Sequence, residues 1–173
     1  YLRKSGKVRP DALILGAQTG NNLIVAERGV MWAKVTTKGK AAHAGNPGAG
    51  DNAILRMMRL IGALSSYYDK ALATRVSGAM KSTVNIGMFH GGHNTNVVPS
   101  ACTVEIDRRL LPKETVTDAY KELKNVIDSV GEPKSQYDIE FLTGTNGFAA
   151  PENGQTVAAF EAVVQKQLGR KVK

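Results

Sequence analysis

His43 sits within Ala41-Ala42-His43-Ala44-Gly45, an imidazole among residues with almost no side chain. Such neighbours let backbone or a bound molecule approach the ring closely. Taken alone, a loop histidine reads as a surface residue. Asn96 precedes Val97-Val98-Pro99, where an amide commonly bonds its own backbone in a turn. Arg109 closes the run Asp107-Arg108-Arg109. A guanidinium grips a carboxylate through two parallel hydrogen bonds, and Asp107 offers it a surface ion pair worth little energetically. His90 and His93 flank Gly91-Gly92. Two imidazoles without a third ligand make a poor metal site, so the glycines read as a turn. The single cysteine, Cys102, excludes an internal disulfide, and its phase beside Val104 and Ile106 marks a buried thiol.

The elements that must position these groups follow from periodicity. Residues 11–16 (DALILG) form a short apolar strand. Residues 29–38 form a longer one with Met31, Ala33, Val35 and Thr37 on one face. Residues 39–50 are too rich in Gly, Pro and Asn for regular structure. Asp51 is placed as N-cap or first-turn acid of a helix to about residue 68, with Ile54, Met57, Met58, Ile61 and Leu64 as its buried stripe. Residues 83–89 form a strand with Val84, Ile86 and Met88 on one face. Its partner, 101–110, turns Cys102, Val104 and Ile106 inward and Thr103, Glu105, Asp107 and Arg109 outward. Arg108 shares the inward phase, and a bulge near the strand end would exchange the two arginines. A helix over 115–130 and an alternating strand over 137–142 complete the order β-α-β-β-α-β. That is the ferredoxin-like α+β pattern: a four-stranded antiparallel sheet with both helices on one face. A separate helix follows within 151–173, with Val157, Phe160, Val164 and Leu168 on one side.

Two blocks, residues 39–54 (GKAAHAGNPGAGDNAI) and 82–109 (STVNIGMFHGGHNTNVVPSACTVEIDRR), resemble in order and spacing the lid or dimerisation domain of the M20 metallopeptidases. That family includes acetylornithine deacetylases, succinyl-diaminopimelate desuccinylases, aminoacylases and carboxypeptidase-G-type enzymes, and the first two groups look most similar. The resemblance covers nearly the whole chain but only the middle third of a typical member. It implies that residues 1–27 are the outgoing end of a catalytic domain, 28–146 the lid, and 147–173 the first returning helix. It implies a longer parent that uses zinc (or cobalt) to hydrolyse the amide of an N-acyl amino acid or small peptide. The family's His-x-Asp motif, Glu-Glu pair and late histidine ligand are absent here. The one ligand position expected within the chain, in Gly16-Ala17-Gln18-Thr19, holds Ala17, which has no donor atom. Either an altered family member or a designed change puts alanine there. No metal is therefore assigned to this chain, and alone it should be inert.

The resemblance also implies roles. His43 reaches across a homodimer into the partner's site and donates to the scissile carbonyl oxygen as it becomes an oxyanion. Asn96 presents its amide to the substrate, and Arg109 holds the substrate's α-carboxylate. Two lids join through an edge strand or helix as a two-fold pair.

Composition bounds the alternatives. The net charge is +8, and it is uneven: residues 1–50 carry eight Lys or Arg against two Asp or Glu, and residues 51–173 fifteen against thirteen. Such a field suits carboxylate substrates or nucleic acid. A nucleic-acid-binding module of this fold stacks bases on aromatics of its central strands, where the expected strands offer only Phe89. A non-catalytic M20-like binding or scaffold protein is the other rival, favoured by Ala17. No apolar run nears the roughly 20 residues of a membrane span, and no signal peptide is visible. A cytoplasmic parent is the expectation, and because the chain starts at Tyr1 it reads as a fragment.

Overall fold

The computed structural model describes residue 6, residue 16, and residues 18–20, 22–151 and 154–169. The expected strand over 11–16 falls outside these, apart from Gly16, and so does Ala17. The elements run β1 (Ala26–Glu27), β2 (Gly29–Lys38), α1 (Ala53–Ala71), β3 (Val76–Ser77), β4 (Met80–Lys81), β5 (Thr83–Gly91), β6 (Ala101–Leu110), α2 (Val116–Asp128), β7 (Tyr137–Thr145), β8 (Phe148–Ala149) and α3 (Gln155–Leu168). The chain divides into two compact units, Glu27–Phe148 and the pair Tyr1–Ala26 with Ala149–Lys173. In the second, α3 ends at Gly169 in the left-handed conformation, which glycine adopts without steric cost.

The first unit is the ferredoxin-like sandwich. Its antiparallel sheet has the order β5-β6-β2-β7. Met31, Ala33, Val35, Cys102, Val104 and Ile106 form its inward face and pack with α1 and α2 into one core. The expected bounds of β2 and β6 hold to the residue. The α2 helix starts at Thr115, whose Oγ1 accepts from the Asp118 N–H at 3.1 Å, and its apolar stripe lies in or against the core.

Several local expectations give way to tertiary structure. The cap of α1 is Asn52, whose side chain accepts from the Ile54 and Leu55 N–H groups at 3.0 and 3.2 Å. Asp51 instead takes a 2.7 Å hydrogen bond from Arg56 Nη2. The buried stripe of α1 is rotated to Ala53, Arg56, Met57, Leu60, Leu64 and Tyr68, which leaves Met58 exposed. In β5 the register against β6 slips at Gly87, so Ile86 opposes Ile106 while Met88 opposes Glu105. Opposed residues share a face, so this bulge turns Met88 away from Val84 and Ile86. Strand β7 continues to Thr145, and the β3–β4 hairpin was not foreseen. Phe89 lies on an edge strand. The exposed aromatic of a central strand is Trp32.

The inward phase of β6 runs unbroken through Arg108, which is 0% exposed. Arg108 Nη2 donates to Glu114 Oε1 at 2.7 Å, Nη1 donates to the Arg109 carbonyl, and the guanidinium lies 5.6 Å from the Tyr68 ring centroid. Glu114 also accepts from Arg75, from the Leu111 N–H at 2.7 Å and from Ser82 Oγ. Burial pushes the Glu114 carboxyl up, but these hydrogen bonds and the Arg108 charge outweigh it and hold it below its ordinary value. Glu122 is lowered in the same manner, against burial, by hydrogen bonds from Arg75 and Tyr67.

Two outcomes follow from this network. Removing one partner of a buried pair costs about 3–5 kcal/mol, because the other charge is left buried without it. Arg108→Ala should therefore lower the urea-unfolding free energy by that amount, and a loss within about 0.5 kcal/mol, the range of an ordinary surface substitution, would contradict it. The lowered carboxyls return to about 4 on unfolding, so unfolding takes up protons at acid pH. Their stabilisation is present above about pH 5 and is lost as pH falls through the lowered folded values. A urea midpoint unchanged between about pH 6 and pH 3.5 would contradict it.

Candidate functional site

The loop leaving β2 and the loop entering β6 close against each other. The Gly39 N–H donates to Ser100 O at 2.8 Å, the Val98 N–H to Ala42 O at 2.8 Å, and the Ala44 N–H to Asn96 O at 2.9 Å. His43 and Val97 form an antiparallel bridge between them, and Lys40 with Asp51 closes the base. His43 and Asn96, distant in sequence, are thereby set on facing segments.

The His43 ring is exposed, and its Nδ1 accepts the Gly45 N–H at 3.0 Å. An accepting Nδ1 leaves the proton of a neutral ring on Nε2, which is then a donor. The Asn96 carboxamide has no hydrogen-bond partner among the described residues. The turn bond comes from Asn94, whose Oδ1 lies 3.5 Å from the Asn96 N–H. Beside the two loops is an open hollow of about 590 Å³, bordered by Pro47, Asn52, Ile54, Gly92, His93 and Val98. His90 lies instead on β5, opposite Thr103 of β6. Among the described residues no group of three or more His, Cys, Asp or Glu could hold a metal ion.

A buried arginine missing from the sequence reading fixes this loop. Arg56 is 6% exposed. It donates to Asp51, to Glu132 Oε2 at 2.8 Å and to the Lys38 carbonyl. It thus joins the end of β2, the base of the loop and the segment after α2. Hydrogen bonds from Arg59 and then Arg56 hold the Glu132 carboxyl below its ordinary value. The available signal was its helical phase, shared with Ala53 and Leu60. Close approach does the rest: a Cβ on Gly39 would lie 2.1 Å from Asp51 O, and one on Gly50 2.8 Å from Lys40 O.

Arg109 lies at the other end of the sheet, opposite Val30 and Thr83. From Ala101 to Arg109, β6 covers about 27 Å at about 3.4 Å per residue. Within one protomer the fold therefore brings His43 and Asn96 together and keeps Arg109 apart. No bulge interrupts the β2–β6 register, so the two arginines are not exchanged. Arg109 Nη2 donates to Asp107 Oδ2 at 2.9 Å, and Nε lies 2.9 Å from Oδ1. Asp107 thus occupies one edge of the guanidinium. The Nη1 side has no partner among the described residues.

Comparison with known proteins places this arrangement. The M20 dimer family model, described as the peptidase dimerisation domain, matches residues 25–135. The acetylornithine deacetylase of Salmonella typhimurium is 31% identical over 99% of this chain and 45% of its own length. The chain thus spans about half the length of the curated relatives it matches. Among solved structures, aminopeptidase PepT from Bacillus cereus aligns with a TM-score of 0.67 at 24% identity, over 87% of this chain and 38% of its own. A tripeptidase from Staphylococcus aureus gives 0.64 at 23%, with the same coverage. These two likenesses bear on the fold.

Gly39→Ala should unzip the paired loops. Hydrogen exchange of the Ala44 and Val98 amides is expected to accelerate while the amides of central β2 keep their protection. Uniform acceleration across β2 would mean instead that the whole sheet loosens.

Proposed function

This chain belongs to the M20 peptidase dimerisation-domain family, and on that premise we propose that it serves as the dimer-forming lid of a metal-dependent amidohydrolase acting on N-acyl amino acids or small peptides. The observation that carries the reading is the edge strand β5. It has no charged residue, and Ile86, Met88 and Phe89 are each more than a third exposed. Leu55 and Met58 of α1 are exposed as well. The opposite edge, β7, carries Asp138 and Glu140. Open edges are normally blunted by charge or covered, and an uncharged apolar edge suits a second copy in a two-fold pair.

The reading includes zinc or cobalt in the longer protein. The described residues of this chain do not fit a metal, so its contribution is hydrogen bonds. The His43 Nε2–H would donate to the oxyanion that develops as the amide is attacked, where a fixed donor lowers the barrier. Asn96 would offer its unpartnered amide to the substrate. The unoccupied side of Arg109 would take a carboxylate. The distance of about 27 Å along β6 prevents one protomer's three side chains from converging on one small substrate. Each site of the dimer would therefore draw His43 and Asn96 from one lid and Arg109 from the other. The nucleic-acid alternative gains nothing from the open sheet face, where Glu105 and Asp107 stand beside Lys34 and Trp32 and would repel a phosphate backbone.

Two experiments test the reading. The chain should sediment as a dimer, and Phe89→Lys should weaken association by about 2 kcal/mol or more, as loss of a buried aromatic anchor does. A wild-type chain that stays monomeric defeats the interface. In the longer protein, His43→Ala and Arg109→Ala should each abolish most turnover. Mixing the two variants should restore about a quarter of wild-type activity, since half of randomly paired two-fold dimers then hold one complete site. His43→Ala mixed with Asn96→Ala should restore none. Failure of the first mixture, with heterodimers demonstrated, would overturn the division between lids.

A further inference from the structure

We infer that Trp32 is the specificity wall of the carboxylate site at Arg109, and that the favoured substrate carries an aromatic or large apolar group beside its carboxylate; this rests on the reading of Arg109 given above. Trp32 is the only tryptophan in the sequence. It lies on central strand β2 between fully buried Met31 and Ala33, so alternation fixes it on the face away from the helices, where it is 45% exposed. The core does not use this indole. It makes no ring contact, cation–π contact or hydrogen bond among the described residues.

Its placement relative to the guanidinium is set by the sheet. Trp32 opposes Asp107 on one side and Thr143 on the other, and Val30 opposes Arg109. Trp32 and Arg109 are therefore diagonal neighbours on one face, about 7–8 Å apart and somewhat less between Cβ atoms. Asp107 draws the Arg109 head toward the Trp32 row through its two 2.9 Å contacts. Val30 and the indole are the apolar groups within reach of a small molecule whose carboxylate Arg109 holds.

The charge around this point selects as well. The cross-strand positions at this end, Val30, Thr83, Thr143 and Thr145, are neutral. Asp107, the acid of the facing outward row, is bound to Arg109, whose open side matches one anionic group. A flat ring stacked on the indole gains about tenfold in affinity, whereas a small side chain leaves it uncovered.

The test is turnover by the longer protein of N-acetylphenylalanine, N-acetylleucine, N-acetylornithine and N-acetylglycine. The wild type should favour the first two in kcat/KM. Trp32→Ala should lower kcat/KM for N-acetylphenylalanine about tenfold more than for N-acetylglycine. Trp32→Phe should keep most of the preference, which guards against a folding defect in the alanine variant. A uniform loss across the panel, or no loss, overturns the inference and leaves the hydrolase reading standing. Wild-type silence toward every member overturns both.

Discussion

A guanidinium with no solvent exposure is tolerable only if it is paired, and the rest of this fold is organised around meeting that demand for Arg108. Glu114 supplies the charge, and its remaining lone pairs are taken by Ser82, Leu111 and Arg75. Those groups come from the start of β5, the end of β6, the turn into α2 and the segment after α1. One ion pair thereby joins four pieces of chain. A slip of one residue in β6 would carry Arg108 to the open face and Arg109 into the core. The pair thus resists such a slip, and Arg109 faces outward because its neighbour is held inward.

Arg56 plays the corresponding part at the far end of the sheet. It is buried under the loop that carries His43 and bound to Asp51, Glu132 and the Lys38 carbonyl. The candidate groups thus emerge from two anchored regions, each fixed by its own buried arginine, at opposite ends of β6. A rigid sheet does not fold back to join its ends. A small substrate that needs all three groups calls for a second copy of the domain, and the uncharged edge β5 offers the surface for it. On the proposed reading, catalysis and dimerisation would be one requirement.

The open face of the sheet shows the same economy. Helices cover one side, and none of the outward residues of β2 and β6 is buried. Asp107 and Arg109 satisfy each other along one guanidinium edge only. Beside them the indole of Trp32 makes no ring, cation–π or hydrogen-bond contact among the described residues. Such a combination of a half-used fork and an idle ring is what a carboxylate with an apolar group fits.

Much of this was legible in the chain. Strict alternation fixed β2 and β6 to the residue, because a half-buried strand must send every second side chain to the core. The α2 stripe was equally plain, and the block around His43 and the Asn-Val-Val-Pro run carried the family resemblance. What the sequence left open was decided by contacts between distant segments. Both Asp51 and Asn52 can cap α1, and Asp51 was taken up by Arg56. Period-2 reading put Met88 with Ile86 until the bulge at Gly87 reversed its phase, and the isolated glycine within the strand was its one local sign. Spacing put Arg108 inward and Arg109 outward, but whether a bulge exchanged them could not be read from it, since that depends on Glu114 being present to neutralise the buried arginine. The distance between Arg109 and the His43 loop is likewise a property of the folded sheet alone. Local alternation records which face a residue takes, but only packing sets which far-off partner meets it there.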